Sequence, residues 1–344
     1  MRPICHLNLA PGYRGGERQA QLLIAELARR GHAQRLVARR GGELPRYCDG
    51  IEGLEIRLVA SNPVAAALAV RGSKVAHSHE GRSIYSGLLA NWLFGIPYVI
   101  TRRIVAAQSA SFLRTLAYRR AARVAAVSRA AGEKLLERMP GLEYVVVPDA
   151  IAGFEHKPSS TAAIRAARPG KTLIGHVGAL DHSKGQSTII EVAHRVAKTH
   201  PDWHFIFCGD GRDEARFRAE IGDLDNVELV GWVDNVGDYL AAFDLFVFPS
   251  LHEALGSTLL DAMQFGLPVV ATAVGGIPDV VEDGVHGRLV EPENAGQLQA
   301  AIEAVLANEP ELEKMRYRNA AHAAKYDAAH MADMYEALYR DIAS

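Results

Sequence analysis

The sequence has few cysteines and lacks a long apolar run. Its three cysteines, Cys5, Cys48 and Cys208, lie far apart in 344 residues and form no CxxC pair. This spacing argues against a disulfide framework and offers no cysteine metal site. No stretch approaches the roughly 18 apolar residues of a spanning helix, and the N-terminal apolar run is too short for a signal peptide. We therefore expect a cytoplasmic protein.

A nicotinamide-dinucleotide fingerprint is also missing. Gly12, Gly15 and Gly16 follow a predicted strand, but their spacing is not GxGxxG, which disfavours a nicotinamide dehydrogenase. A glycine-rich loop before a helix still lets the backbone approach a ligand, and the helix N-terminus offers free N–H groups to an anion. This loop alone supports a turn-forming role and a phosphate-binding role equally.

Acidic residues are scarce in the first part of the chain. Residues 1–140 contain 22 Lys and Arg against nine Asp and Glu, whereas the rest contains 16 against 31. The stretch 102–129 has no acid, and apolar residues such as Phe112 and Leu113 lie between its arginines. Such a segment suits either an anionic surface at the inner face of the cell membrane or a solvated face of a basic domain. No nucleic-acid motif accompanies the charge, so we expect no nucleic-acid partner.

Short apolar runs alternate with helical stretches along almost the whole chain. The length favours two domains, and the alternation predicts an α/β protein with parallel sheets. Residues 150–170 show no clean period, and we place the domain boundary there. The predicted strands are 4–10, 34–39, 54–60, 75–79, 97–102, 123–128, 144–149, 171–179, 203–211, 227–231, 245–250, 267–272 and 287–292.

Two loops in the second half carry candidate ligand-binding residues. In VGALDHSKGQS, Lys184 comes just before a predicted helix, where it can offer a point charge to a phosphate. A solvated surface lysine is the alternative. In FCGDG, a strand runs into a sharp turn that Asp210 caps or shapes.

The stretch HEALGSTLLDAM carries two carboxylates close to a predicted helix start. Ser257 or Thr258 is expected near the N-cap. Asp261 shares the face of the helix that opens towards its N-terminus, and Glu253 lies in the preceding loop. The backbone N–H groups of Gly256 and Ser257 suit an anion at the same place. The pattern therefore predicts a ligand with an anionic middle and hydroxyl-rich ends, such as a nucleotide-sugar.

Residues 249–292 resemble the donor-binding signature of family 4 glycosyltransferases of the GT-B fold. The resemblance extends to GGER, VGALDHSKGQ, FCGDG and VGWVDNVGDYLAAFDLFVFPS, in this order. It implies an α/β protein of two Rossmann-like βαβ domains that face each other across a cleft. Residues 1–155 would bind the acceptor and residues 165–322 the nucleotide-sugar, and residues 323–344 would form a helix that crosses back to the N-terminal domain.

The resemblance also implies a role for each matching residue. Glu253 would bind hydroxyls of the transferred sugar, Asp261 the ribose hydroxyls, and Lys184 the diphosphate. Glu253 and Lys184 are therefore the candidate catalytic residues, and Trp232 and Val233 would hold the base. The remaining donor-binding residues implied are Gly15, Gly16, Gly178, Gly209, Ala254, Leu255, Gly256, Ser257 and Thr258.

Members of this family use neither a metal nor a cofactor, because lysine and the helix dipole stabilise the leaving phosphate. The resemblance implies transfer with retention from a nucleoside-diphosphate sugar to a glycan or a lipid-linked acceptor, as in lipopolysaccharide or other cell-surface polysaccharide synthesis. His77 and His79, at the end of a predicted strand, and Arg102 are candidate acceptor contacts. A structural role is the alternative for both histidines, and a place on the basic face is the alternative for Arg102.

Three positions depart from the family pattern. Asp261 stands where glutamate is usual, and Ala179 where an arginine is usual, which leaves more phosphate charge to Lys184. Arg102 and Arg103 stand where many members have a histidine near the sugar. Two other functions stay open: a catalytically weak member that binds donor without turnover, and a nucleotide-sugar epimerase of the same fold.

Overall fold

The computed structural model describes residues 2–105 and 111–343, and the chain divides into two compact units. Unit 1 comprises residues 1–152 and 326–344, and unit 2 comprises residues 153–325. The described ranges contain thirteen strands, one for each predicted apolar run. All of them pair in parallel, in one sheet per unit, so the predicted α/β class with parallel sheets is confirmed. None of the described helices combines the length and apolar character needed to span a membrane.

Unit 1 contains a seven-stranded parallel sheet whose central strands are buried and whose two edge strands are partly exposed. The strands are β1 (Ile4–Asn8), β2 (Gln34–Arg39), β3 (Leu54–Val59), β4 (Val75–Ser78), β5 (Tyr98–Arg102), β6 (Arg123–Ala126) and β7 (Val145–Val146). Their spatial order is β3-β2-β1-β4-β5-β6-β7. The connecting helices are α1 (Gly15–Arg29), α2 (Leu44–Tyr47), α3 (Pro63–Ala69), α4 (Ile84–Phe94), α5 (Phe112–Arg120) and α6 (Arg129–Leu136).

Unit 2 repeats the plan with six strands in the order β10-β9-β8-β11-β12-β13. The strands are β8 (Thr172–Val177), β9 (Trp203–Cys208), β10 (Val227–Gly231), β11 (Leu245–Phe248), β12 (Val269–Thr272) and β13 (Gly287–Val290). The helices are α7 (Pro158–Ala166), α8 (Gln186–Val196), α9 (Glu214–Ile221), α10 (Val236–Ala242), α11 (Ser257–Gln264), α12 (Ile277–Val280), α13 (Ala295–Leu306) and α14 (Glu309–Ala323). The strand order reverses between β8 and β11, and open α/β sheets bind ligands beyond the carboxyl ends of the strands at such a point.

The last helix, α15 (Ala328–Ala343), belongs to unit 1 and packs against α1 and β4. Its buried tyrosines bond to polar side chains of the sheet. The Tyr339 hydroxyl lies 2.6 Å from His77 Nδ1, and the Tyr335 hydroxyl lies 2.7 Å from Thr101 Oγ1. Thr101 in turn lies 2.6 Å from His77 Nε2. Both ring nitrogens of this fully buried histidine are thus satisfied within unit 1.

Glycines let the loops at the carboxyl edge of the unit 2 sheet meet closely. A Cβ at Gly185 would lie 1.9 Å from the carbonyl oxygen of Pro249, and Gly185 has a φ of +73°. A Cβ at Gly209 would lie 2.0 Å from the carbonyl oxygen of Gly178. Both distances are far inside van der Waals contact, so a side chain at either position would force the loops after β8, β9 and β11 apart.

We expect Tyr339→Phe to destabilise the chain by about 1–3 kcal/mol, because it leaves a buried His77 nitrogen without its partner. The matched control is Tyr317→Phe, whose ring is 80% exposed and whose hydroxyl can be replaced by water contacts at little cost. Urea unfolding of both variants measures the difference. Equal stability of the two would contradict the buried bond.

We expect Gly185→Ala to cost at least about 3 kcal/mol, because overpacking adds to an unfavourable backbone conformation. Gly170→Ala is the control, since Gly170 has a φ of +72° and a Cβ there would meet nothing within 4 Å. It should cost only about 1 kcal/mol. The free energies of unfolding separate the steric contact from the strain, and equal losses would disprove the close loop contact.

Candidate functional site

Lys184 and Glu253, 69 positions apart in sequence, form an ion pair at the carboxyl edge of the unit 2 sheet. Lys184 Nζ lies 2.7 Å from Glu253 Oε2, and the side chains are 27% and 16% exposed. The ammonium also lies 5.6 Å from the centre of the Phe248 ring, within cation–π distance. An ammonium has three donors, so two N–H groups of Lys184 stay available for an anionic ligand beside the carboxylate.

The loop after β8 that carries Lys184 is anchored to the loop after β11. The Leu251 N–H donates to the Ser183 carbonyl at 2.8 Å, and the Lys184 N–H donates to the Asp181 carbonyl at 2.8 Å. Lys184 ends a short 3-10 turn, His182–Lys184, immediately before α8. The lysine therefore lies just before a helix, as the sequence predicted, and its backbone is fixed by the neighbouring loop.

The backbone of Glu253 is held by the glycines that follow β12. The Gly276 N–H donates to the Glu253 carbonyl at 3.1 Å, and a Cβ at Gly275 would lie 1.8 Å from the same oxygen. The Glu253 side chain also accepts the Ala254 N–H at 3.2 Å. This positioning role is not visible in the sequence, because the contact joins two separate loops.

Helix α11 begins at Ser257 with Gly256 as its N-cap, in a left-handed conformation with φ +86°. Ser257 thus lies next to the N-cap, as the sequence predicted, and the N-cap itself is Gly256 because the turn needs a positive φ that glycine adopts without strain. Within the described structure no side chain caps this helix. Its first N–H groups therefore remain suited to an anion.

Asp261 lies in the second turn of α11 and is only 7% exposed. Its neighbours on the helix, Leu259, Leu260 and Met263, are fully buried. A carboxylate is rarely this enclosed unless it has partners. The residue is therefore not a solvated surface charge, and its role towards ribose stays a prediction.

A buried histidine that the sequence did not single out supports the Lys184 loop. His176 Nδ1 donates to the Val247 carbonyl at 2.9 Å, which leaves Nε2 as an acceptor for the Gln186 amide at 3.3 Å. Gln186 also donates to the Ala179 carbonyl at 2.7 Å. Burial, with a smaller contribution from the Lys184 charge, lowers the pKa of His176 to about 4. A neutral imidazole thus fixes the turn on which Lys184 lies.

The other predicted donor-binding residues of unit 2 surround this edge. Gly178 and Gly209 form the contact between the loops after β8 and β9, whereas Ala254 and Leu255 are buried between Glu253 and α11. Trp232, after β10, is 64% exposed, and its indole N–H lies 3.2 Å from Asp234 Oδ1. Val233 is half-buried beside it. Contact with the base by Trp232 and Val233 stays a prediction.

Unit 1 places a different set of polar groups at the carboxyl edge of its own sheet. Helix α1 begins at Gly15, and the side chain of Arg103 lies 3.7 Å from the position of a Cβ at Gly16. Arg103 Nε donates to Asp149 Oδ1 at 2.9 Å, and Nη1 donates to the His79 carbonyl at 3.2 Å. Its Nη2 is buried and has no partner among the described residues. Sequence analysis did not assign Arg103 to a site.

The predicted acceptor residues differ in how they are placed. His79 Nε2 lies 2.9 Å from His6 Nδ1, and its Nδ1 is buried without a partner in the described ranges. His77 is bonded to Thr101 and Tyr339 and has no exposed surface. It lies inside β4, next to the last strand residue Ser78, and its side chain is enclosed within unit 1. Its role towards an acceptor stays a prediction.

Arg102 alternates with Thr101 in β5, so the two side chains point to opposite faces of the sheet. Thr101 faces α15, whereas Arg102 hydrogen-bonds Tyr118 of α5 and is 6% exposed. Arg102 is therefore not part of an exposed basic face. Whether it contacts an acceptor stays a prediction.

One group of three residues in the described part of the chain meets the distance criterion for a metal site. The ring nitrogens of His6, His77 and His79 lie within 4.8 Å of one another. His6 Nε2 must donate to Gln34 Oε1, at 2.9 Å, because an amide oxygen only accepts. His6 Nδ1 then accepts from His79, and burial lowers the pKa of His6 to about 4. Hydrogen bonds to Gln34, Thr101 and Tyr339 thus engage His6 and His77, whereas His79 Nδ1 has no partner among the described residues.

Comparison with known proteins matches both units to glycosyltransferases. Residues 13–152 match the family model Glycosyltransferase Family 4, and residues 161–322 match the model Glycosyl transferases group 1. The chain is 27% identical over 288 residues to 2-deoxystreptamine glucosyltransferase of Streptomyces kanamyceticus, across 76% of this chain and 74% of that protein. It is 30% identical over 187 residues to lipopolysaccharide core biosynthesis mannosyltransferase LpsB of Rhizobium meliloti, across 50% of this chain and 53% of that protein.

Among solved structures, the chain resembles HepE of Anabaena, crystallised in complex with UDP and glucose. The TM-score is 0.88 at 18% identity, across 99% of this chain and 100% of that one. This similarity establishes the fold. With Lys184 and Glu253 at the sheet edge where the signature predicted them, the chain belongs to the family 4 glycosyltransferases and has the GT-B fold, with two Rossmann-like α/β domains.

Proposed function

We propose that the protein is a retaining glycosyltransferase that moves a sugar from a nucleoside diphosphate to a glycan or lipid-linked acceptor. The observation that carries this proposal is the Lys184–Glu253 pair, 2.7 Å apart, next to the N-terminus of α11. It puts a cation, a carboxylate and free helix N–H groups together at one edge of unit 2. A diphosphate bonded to sugars needs this combination.

Each group has a distinct task in this proposal. Lys184 and the N–H groups of Gly256 and Ser257 would stabilise the charge that grows on the departing diphosphate, which is where a fixed cation and a helix dipole lower the barrier. Glu253 would accept hydrogen bonds from hydroxyls of the transferred sugar and hold Lys184 in place. Asp261 would accept from the ribose hydroxyls.

The bond changes need no metal and no separate protein base. The bond between the sugar C1 and the diphosphate oxygen breaks, and a bond forms between C1 and the acceptor oxygen on the same face. The proton of the acceptor hydroxyl passes to a phosphate oxygen of the leaving group. Retention of configuration follows from attack on that face.

Unit 1 would bind the acceptor through the groups at its sheet edge. Arg103 is enclosed, paired with Asp149 and has a free Nη2 donor among the described residues. His79 Nδ1 has no partner in the part of the chain that the structure describes, and it is an acceptor because Nε2 donates to His6. One donor and one acceptor at the same edge suit a hydroxyl group. The similarity to LpsB, named for lipopolysaccharide core synthesis, supports a cell-surface glycan as acceptor.

A panel of UDP-, GDP- and ADP-sugars should reveal one nucleotide that binds and is released on turnover. Isothermal titration measures binding, and a nucleotide-release assay with and without glycan acceptors measures transfer. The anomeric configuration of the product, read by NMR, should match that of the donor, and EDTA should not change the rate. No binding to any donor would refute the proposal. Binding without release would favour the weak-member alternative, and a changed sugar without transfer would favour an epimerase.

Glu253→Ala should lower the transfer rate roughly 100-fold or more, because loss of a positioned charged group in such a site costs about 3 kcal/mol. Asp261→Glu restores the usual family residue and should lower it far less. Donor Kd and transfer rate, measured for both variants with the preferred donor, provide the comparison. Wild-type rates in Glu253→Ala would remove Glu253 from the site.

A further inference from the structure

Helices α3, α4 and α5 form one layer on a single face of the unit 1 sheet. Helix α4 packs against both α3 and α5, and all three contribute to the same buried cluster with strands β1, β4 and β5. Each helix therefore turns its opposite side to solvent. The combined outer side of the three helices is called the layer face below.

The layer face exposes a pair of large apolar side chains on each helix. On α3, Val64 and Leu68 lie one turn apart and are 56% and 54% exposed. On α4, Trp92 and Leu93 are 51% and 56% exposed. Helix α5 contributes Phe112 and Leu113, at 80% and 53%. Single exposed apolar residues are ordinary, but a repeated pair on three adjacent helices marks an interaction surface.

Along the sequence, the segment that carries these residues is strongly basic. Residues 61–132 contain ten Lys and Arg but a single acid, Glu80. That carboxylate is engaged locally, since it accepts the backbone N–H groups of Leu9, Arg82 and Ser83. The exposed cations of the layer are Arg71 and Lys74 after α3, and Arg119 and Arg120 at the end of α5.

One contact places a cation beside the apolar residues of α4. The Arg71 guanidinium lies 5.9 Å from the centre of the Phe94 ring, next to Trp92 and Leu93. Helices α3, α4 and α5 all run opposite to the parallel strands, so their C-terminal ends lie at one edge of the layer. Leu68, Arg71, Trp92, Leu93, Arg119 and Arg120 lie at or near those ends.

We propose that the layer face docks on the surface of an anionic lipid bilayer. Such a surface offers phosphate headgroups for the cations and a hydrocarbon boundary for the exposed apolar side chains. A nucleic acid offers the phosphates but gives valine and leucine no base to stack on, because stacking requires an aromatic or guanidinium plane. The inference goes beyond the proposed function, since it concerns a different surface from the donor site of unit 2.

The docking surface differs from the one that sequence alone suggested. The stretch 102–129 is not one amphipathic helix: it contains the end of β5, helix α5, strand β6 and the start of α6, and residues 106–110 lie outside the described ranges. Arg102 is buried within it. Most of the layer face comes from α3 and α4, which the charge count did not single out.

The test is flotation of the full-length chain with vesicles of phosphatidylcholine alone or with about 30% phosphatidylglycerol. We expect binding to the anionic vesicles only, and weaker binding at about 0.5 M salt, where the Debye length falls to a few ångströms. No preference for the anionic vesicles at low salt would overturn the proposal. Binding of a non-specific RNA in place of vesicles would also overturn it, in favour of nucleic acid.

Two double charge-reversal variants test whether the layer face is the surface that binds the vesicles. Arg119→Glu with Arg120→Glu should weaken vesicle binding roughly 30-fold or more, since each basic residue contributes about 1 kcal/mol, or about fivefold, and two are lost. Arg195→Glu with Lys198→Glu makes the same change of net charge on exposed positions of unit 2 and should have little effect. Equal losses in the two pairs would place the contact elsewhere and refute the proposal.

A second pair of variants tests how much the exposed apolar side chains contribute to vesicle binding. Trp92→Ser should weaken binding to anionic vesicles several-fold, whereas Tyr317→Ser, which removes an exposed ring from α14, should not. Thermal unfolding confirms that each variant is folded before its binding is compared. Donor binding by titration is measured in parallel, so that failure of the lipid proposal is distinguished from failure of the donor proposal.

Discussion

The ion pair between Lys184 and Glu253 is the interaction on which the candidate donor site depends. It joins the loops after β8 and β11, which are neighbours only because the strand order of unit 2 reverses between these two strands. The pair holds a cation at the start of the path that a diphosphate would take. It also keeps the carboxylate oriented, since an isolated glutamate in a half-buried loop would adopt several rotamers.

Tight backbone contacts make that pairing possible. Gly185 lies against Pro249, and Gly275 lies against the Glu253 carbonyl, in both cases closer than any side chain allows. The neutral His176 then supports the Lys184 loop from below through Gln186. Ligand-binding loops usually have low local stability. Here the loops after β8, β11 and β12 contact one another and thereby stabilise one another. The charges of the site are therefore preorganised before any ligand binds.

In unit 1, hydrogen bonds between buried polar side chains hold neighbouring elements together, whereas in unit 2 close backbone contacts at glycines hold the loops together. The bonds from Tyr335 and Tyr339 to Thr101 and His77 anchor the last helix, α15, to the sheet. Buried polar networks stabilise one arrangement only when every member has a partner. In unit 1, His77 meets this condition, because both of its ring nitrogens have hydrogen-bond partners. At the edge itself, Arg103 retains an unsatisfied donor among the described residues.

The sequence by itself determined the thirteen strands, the parallel α/β class and the family, because apolar periodicity and the 249–292 signature are local patterns. It also identified Lys184 and Glu253 as candidates, and both lie at one edge. Only the tertiary structure showed that they bond to each other, that Gly275 positions Glu253, and that Arg102 is buried while Arg103 reaches the edge by Gly16. It alone assembled the layer face from three helices. These features depend on which distant segments become neighbours in the fold. The strand order decides which segments are neighbours, and no short stretch of residues encodes the strand order.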